Sequence, residues 1–248
     1  MIEQLVTFGC SFTKDSYQDT WADILAKKMN LQLVNRGQRG AGANYISKRI
    51  LTSHDLNSET SLVAVMWPCA DRYDLWADQS VPHLLEDQIY ASWANGVKPM
   101  LTDMHGNHRH DKGFILNGSI PRGYKHHYWK YLHSSYQAVH DWYAYIILTQ
   151  LFLKAKQIAY VMMSAFPLEY PLHCHKSDFT IESDIFDLID LEHFLGPCVE
   201  HGFQPWCYTN NLKFYDTHHP DTSAHEIWLD RFVIDRVKKI IRQLPHDK

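Results

Sequence analysis

Glycine and proline are scarce, 11 and 10 residues among 248, too few for a collagen-like or low-complexity disordered chain. The sequence has no CxxC pair, and its cysteines, Cys10, Cys69, Cys174, Cys198 and Cys207, are odd in number. That pattern fits reduced thiols in a cytoplasm. Positive charge is not in excess: 24 Lys and Arg face 28 Asp and Glu, a formal net charge of -4. A protein that binds nucleic acid by neutralising phosphates is normally basic, so nucleic acid is not the expected partner. No apolar run reaches the length of a membrane-spanning helix without polar breaks, so no membrane span is expected. The first residues carry Glu3 where a secretory signal would be basic, and their apolar run is short. The expected location is therefore cytoplasmic.

What the chain does have is a 45% hydrophobic content and 13% aromatics, enough for one sizeable core. Short apolar runs alternate with helical patterns. Gln4–Phe8, Leu31–Asn35, Ser61–Trp67 and Ile158–Met163 read as strands. Thr20 with Asp23 resembles a capping box, followed by Trp21, Ile24, Leu25 and Met29 at helical spacing. Helices are also predicted at Asn44–Leu51, Ser134–Lys156, Asp184–Leu195 and Ala224–Leu244. Strands alternating with helices imply right-handed βαβ units and a mainly parallel sheet. The expected fold is a single domain over 1–248, a three-layer α/β/α sandwich of flavodoxin-like type. An irregular polar insertion with short helices is expected at about 68–122, a length that is usually functional in a compact domain.

In open α/β sheets ligands bind beyond the carboxyl ends of the strands. Those ends here are followed by Gly9-Cys10-Ser11-Phe12, by Asn35 through Gly42, and by Trp67 through Arg72. Asp216-Thr217-His218-His219-Pro220 precedes the last helix. A serine at such a turn becomes a nucleophile when a histidine, held by a carboxylate, takes its proton. Asp216 and His219 are three residues apart, which lets one turn project both side chains into one site. Backbone N–H groups of a glycine-rich turn can stabilise an oxyanion. The same residues have plainer uses. Ser11 suits a helix N-cap. Asp216 suits a turn, with Pro220 opening the next helix.

These pieces together resemble the SGNH (GDSL-like) hydrolases. Phe8-Gly9-Cys10-Ser11-Phe12 is similar to the family's first block, with Cys10 in place of an Asp. Asn35-x-Gly37-x-x-Gly40 is similar to the second, and Asp216-x-x-His219-Pro220 to the last. The resemblance implies a serine esterase or acyl hydrolase in which Ser11 attacks, His219 moves the proton and Asp216 orients His219. The amides of Ser11 and Gly40 hold the oxyanion, Gly40 being preferred over Gly42 for its spacing from Asn35. No cofactor or metal is implied. The implied partner is an ester of a carbohydrate or another small polar molecule, O-acetyl esters included. An acyltransferase with the same residues is the near alternative. The third block departs: Met66 through Arg72 lacks the family's Asn, a second oxyanion donor. Either Arg72 replaces it or the two amides act alone. That departure also leaves open a non-catalytic binding or structural protein on the same fold.

Histidine is over-used, at 17 residues. The stretch with His105, His108 and His110 has imidazoles and carboxylates suited to transition metals. Its spacing matches no metal motif and Arg109 sits in its middle, so it reads as a solvated polar loop. His126, His127, His173 and His175 are read the same way.

Overall fold

The computed structural model describes residues 1–70, 134–166, 185–195 and 202–244 together with Arg72 and Asp74. The backbone alone is described at 75–78, 101–102, 108–109, 112–115 and 135. Along the chain come β1 (Gln4–Gly9), α1 (Trp21–Met29), β2 (Gln32–Asn35), α2 (Ala43–Leu51) and β3 (Ser61–Trp67). Four short strands follow: β4 (Leu75–Asp78), β5 (Leu101–Thr102), β6 (His108–Arg109) and β7 (Lys112–Ile115). Then come α3 (Ser135–Ala155), β8 (Ala159–Ser164), α4 (Phe203–Thr209), α5 (Thr222–Trp228) and α6 (Ile234–Gln243).

Four strands form a parallel sheet in the order β2-β1-β3-β8. The fold is α/β, as expected. Parallel strands covered on both faces are apolar throughout, and β3 and β8 are buried at every residue. Alternate side chains feed two cores. Leu5, Leu62, Ala64, Met66, Val161 and Met163 pack with α1, α4, α5 and α6. Val6, Phe8, Val63, Val65, Trp67 and Met162 pack with α2 and α3.

The helix boundaries follow local chemistry. The N–H of Thr20 donates to the Asp23 carboxylate at 2.9 Å, the reach-back half of a capping box at the start of α1. At α2 the capping carboxylate comes from across the chain: Asp74 accepts from the amides of Gly42 (2.9 Å) and Tyr45 (2.9 Å). A carboxylate at a helix N-terminus satisfies orphan donors and suits the helix dipole.

Three expectations need correction. The described part of 68–122 holds strands, with β4-β7-β5-β6 paired in an antiparallel sheet. The helix expected at Asp184–Leu195 does not form over the described residues 185–195: they hold one 3-10 turn at Phe186–Leu188, and Phe194 pairs with Met162 beside the main sheet. Tertiary partners decide that segment, since Asp190 accepts from Tyr160 Oη at 3.0 Å and pairs with Lys154 at 2.8 Å. The final helix begins at Thr222 and is broken by a π-helical stretch, Leu229–Val233. That extra residue per turn resets which positions face inward: Leu229, Ile234 and Val237 are buried, while Phe232 is only partly so. Among the described residues no helix is long and apolar enough to cross a membrane.

Candidate active site

Immediately beyond β1 the chain makes a single turn, in which the amides of Thr13 and Lys14 donate to Cys10 O. Gly9 enters this turn because a Cβ there would lie 2.1 Å from Thr13 Oγ1 and 2.8 Å from Met66 O. Ser11 sits in the turn, 7% exposed. It caps no helix; α1 starts ten residues later with Thr20 as its cap. Cys10 is wholly buried in the core, as a small filler would be.

The loop after β2 is tied to this turn. Asn35 Nδ2 donates to Thr13 O at 2.8 Å, Asn35 Oδ1 accepts from the Gly37 amide at 2.9 Å, and the Gln38 amide donates to Gly9 O at 2.9 Å. Gly40 then adopts φ +79°, a left-handed conformation that glycine takes without steric cost. Gly42, the other glycine of this stretch, differs in its partners. The Gly42 amide is spent on Asp74, and a Cβ at Gly42 would lie 2.4 Å from Arg72 O. Among the described residues the amides of Ser11 and Gly40 donate to no protein acceptor.

The third contributor is the loop from Phe214 to Pro220. An antiparallel bridge closes its ends, and Tyr215 N donates to His219 O at 3.1 Å. Gln204 and Tyr208 of α4 donate to His218 O and Thr217 O. Pro220 opens no helix; Asp221 caps α5, accepting from Ala224 N at 3.0 Å. Asp216 Oδ1 accepts from the amides of His218 and His219, each at 2.7 Å. One carboxylate thus holds the turn amides and also reaches the His219 ring.

Ser11, His219 and Asp216, 208 residues apart at the extremes of the first pair, are brought into one hydrogen-bonded chain. His219 Nδ1 lies 2.8 Å from Asp216 Oδ2, and His219 Nε2 lies 3.0 Å from Ser11 Oγ. With Nδ1–H donating to the carboxylate, Nε2 keeps the lone pair that accepts the serine O–H. Burial works against ionisation of Asp216, but the two backbone amides and His219 outweigh it and hold its pKa at about 2. His218 is exposed, and its amide is tied to Asp216.

No family model matches the sequence, and neither does any curated protein. Solved structures similar to it include a member of the lipolytic G-D-S-L family from Veillonella parvula, at 10% identity and TM-score 0.46, over 98% of this chain and 100% of that one. A catalytic mutant of an acetylxylan esterase from Geobacillus stearothermophilus is similar at 12% identity and TM-score 0.46, over 99% and 95%. The likeness to both structures is one of fold, an α/β arrangement.

Of the neighbours of the site, Tyr215 and Asp15 had no signal in the sequence. The rings of Phe12 and Tyr215 flank His219, with centroids 5.3 Å and 5.6 Å away. Tyr215 Oη donates to Asp15 Oδ2 at 2.8 Å. Burial raises the Tyr215 phenol, the Asp15 and Asp216 carboxylates add to it, and its pKa reaches about 12. Arg72, the residue at the degenerate third block, donates to the Cys10 thiol. Burial opposes its charge, and Cys10, Cys69 and Asp74 offset that and raise its pKa. Among the described residues no three His, Cys, Asp or Glu side chains converge as metal ligands. His105 and His110 lie outside the described residues, as do His126, His127, His173 and His175, and of His108 only the backbone is described.

Proposed function

We propose that this chain is a serine esterase, an acyl hydrolase of the GDSL/SGNH kind. The observation that carries the reading is the Asp216–His219–Ser11 relay, with contacts of 2.8 and 3.0 Å. Ser11 Oγ attacks the acyl carbonyl carbon while His219 Nε2 takes the hydroxyl proton. The carbonyl oxygen becomes an oxyanion, held by the unengaged amides of Ser11 and Gly40. The intermediate collapses, the C–O bond to the alcohol breaks, and His219 returns the proton to the leaving alkoxide. Water then attacks the acyl carbon and loses a proton to His219; the bond from that carbon to Ser11 Oγ breaks, His219 returns the proton to Oγ, and the carboxylic acid leaves. Asp216 stays ionised throughout, fixing the Nδ1–H tautomer and stabilising the imidazolium. The substrate is an ester of a carbohydrate or another small polar molecule, O-acetyl esters foremost; the polar, aromatic-rich stretch after β3 supports this choice.

Kinetics on an aryl acetate test the reading. Ser11→Ala abolishes turnover. His219→Ala lowers kcat by roughly 10³-fold or more, as loss of a relay base does, and Asp216→Asn falls between that and wild type. His218→Ala costs about 10-fold or less, through the turn alone. His218→Ala as the worst variant would mean that the base is misassigned by one residue. Near-wild-type rates in all of them would mean that the chain is not an enzyme of this kind.

A further inference from the structure

The Ser11 turn and the loop after β2 each carry an exposed cation whose charged group meets no acceptor among the described residues, Lys14 and Arg39. The stem of Lys14 lies against Gly37, where a Cβ would be 2.9 Å from Lys14 Cβ. Arg39 stands one residue before Gly40. The neighbouring arginine, Arg36, is committed to Asp55 and Ser53. Arg39 instead lays its guanidinium over the Tyr17 ring, 5.5 Å from the centroid.

That position is tied to the site from two sides. Along the chain Arg39 precedes Gly40, whose amide holds the oxyanion in the esterase reading. Through side chains, Tyr17 N donates to Asp15 Oδ1 at 3.1 Å, Tyr215 Oη donates to Asp15 Oδ2 at 2.8 Å, and the Tyr215 ring stacks 5.6 Å from that of His219. Burial and the Asp15 and Asp216 carboxylates raise the Tyr215 phenol, and the Arg39 charge counters them. The field of the guanidinium thus reaches the ring beside the base. The carboxylates nearby are already engaged: Asp15 by the Ser16 and Tyr17 amides and Tyr215, Asp216 by two amides and His219. The guanidinium N–H groups are not. A guanidinium stacked on an aromatic face keeps its plane fixed and its edge free, and that edge matches a carboxylate or phosphate through two parallel hydrogen bonds. A cation would be repelled by Arg39 and Lys14, and a neutral group would leave both charges unanswered.

We propose that Arg39 is a specificity-determining residue that receives a carboxylate or phosphate carried by the ester, so that the favoured substrate is an anion. This role rests on the esterase reading above and adds to it the charge of the substrate.

Matched esters test it. 4-Acetoxybenzoate and 4-acetoxybenzamide differ by one charge on the alcohol half; 4-nitrophenyl hydrogen adipate and 4-nitrophenyl methyl adipate differ by one charge on the acyl half. 4-Acetoxyphenyl phosphate, set against 4-acetoxybenzoate, tells the two oxyanions apart. The readout is the charged-to-neutral ratio of kcat/KM in wild type divided by the same ratio in Arg39→Gln, in which intrinsic ester reactivity cancels. The expected quotient is about 10 for at least one pair, carried by KM, at the low end for hydrogen bonds to a charged group because Arg39 is exposed. It falls toward unity as NaCl rises from about 0.02 M to about 0.5 M. Arg39→Lys, which keeps the charge and loses the fork, falls between wild type and Gln. Damage to the Gly40 turn or to the Tyr215 anchor would slow both members of a pair alike and leave the quotient at unity, and a quotient of unity for every pair overturns the proposal. Calorimetry on Ser11→Ala with the acetoxy pair separates this role from the esterase reading. Tighter binding of 4-acetoxybenzoate than of the amide, lost on adding Arg39→Gln, in a protein whose wild type hydrolyses neither, would spare the anion site and overturn the esterase. Hydrolysis of both without charge preference would spare the esterase and overturn the role of Arg39.

Discussion

At the scale of single residues, His219 is held from three sides. Asp216 fixes its Nδ1, and Phe12 and Tyr215 flank its ring. Tyr215 is itself anchored by its hydrogen bond to Asp15. Burial disfavours the Asp15 carboxylate, yet Tyr215, the amides of Tyr17 and Ser16 and the charge of Arg39 outweigh it and lower its pKa. Tyr215→Phe keeps the ring and loses the anchor. It is expected to lower kcat by about 3- to 10-fold, the equivalent of one partly exposed hydrogen bond of about 1 kcal/mol. Tyr215→Ala removes the ring as well and is expected to cost more. Steady-state rates of the two variants decide; equal and unaltered rates would show that the ring and its anchor do not position the imidazole. Ser11, Gly40, Asp216 and His219 were legible in the sequence because each follows a strand end or precedes the last helix. Tyr215 and Asp74 were not, since a flanking ring and a distant capping carboxylate leave no spacing signature.

At the scale of elements, legibility tracked burial. β3 and β8 are uninterrupted apolar runs because both faces are covered, and such runs are read directly. The 184–195 segment misled because its apolar spacing suits a helix, while Asp190, Gln150 and Tyr160 impose an irregular path. The short helix α4 left no clear pattern: it carries Pro205, tolerated in a first turn, and depends on Gly202 before it. Gly202 takes φ +69°, and a Cβ there would lie 2.3 Å from the backbone of Phe166. Backbone cannot yield as a side chain can. Gly202→Ala is therefore expected to destabilise by about 2 kcal/mol or more, from left-handed strain plus the clash. Because α4 carries Gln204 and Tyr208, which brace the His219 loop, kcat is expected to fall as well. Urea midpoints check the first expectation; an unchanged midpoint would show that the chain bends there without cost.

At the scale of the whole molecule, α5 links the site to the core and to acid stability. His225 is 1% exposed, packs its ring 4.7 Å from that of Phe203, and has a buried Nδ1 without a partner. Burial disfavours its charged form and lowers its pKa from 6.5 to about 3. The unfolded chain thus takes up a proton near pH 6.5 that the folded chain refuses until about pH 3. Stability from this group is full above pH 6.5 and falls with pH below it, by up to about 1.4 kcal/mol per pH unit. His225→Phe keeps the ring contact and is expected to flatten the decline of melting temperature between pH 6 and pH 4. A decline as steep as wild type would place the acid sensitivity elsewhere. The parallel sheet, the two cores and the loop after Phe214 matter to function because they set one serine against one imidazole. The most direct test of that claim is chemical. The full chain is treated with a serine-directed fluorophosphonate, and the adduct is mapped by mass spectrometry. A single adduct on Ser11, absent from Ser11→Ala and strongly slowed in His219→Ala, is the predicted result; no adduct on Ser11, or one that forms as fast without His219, would contradict it.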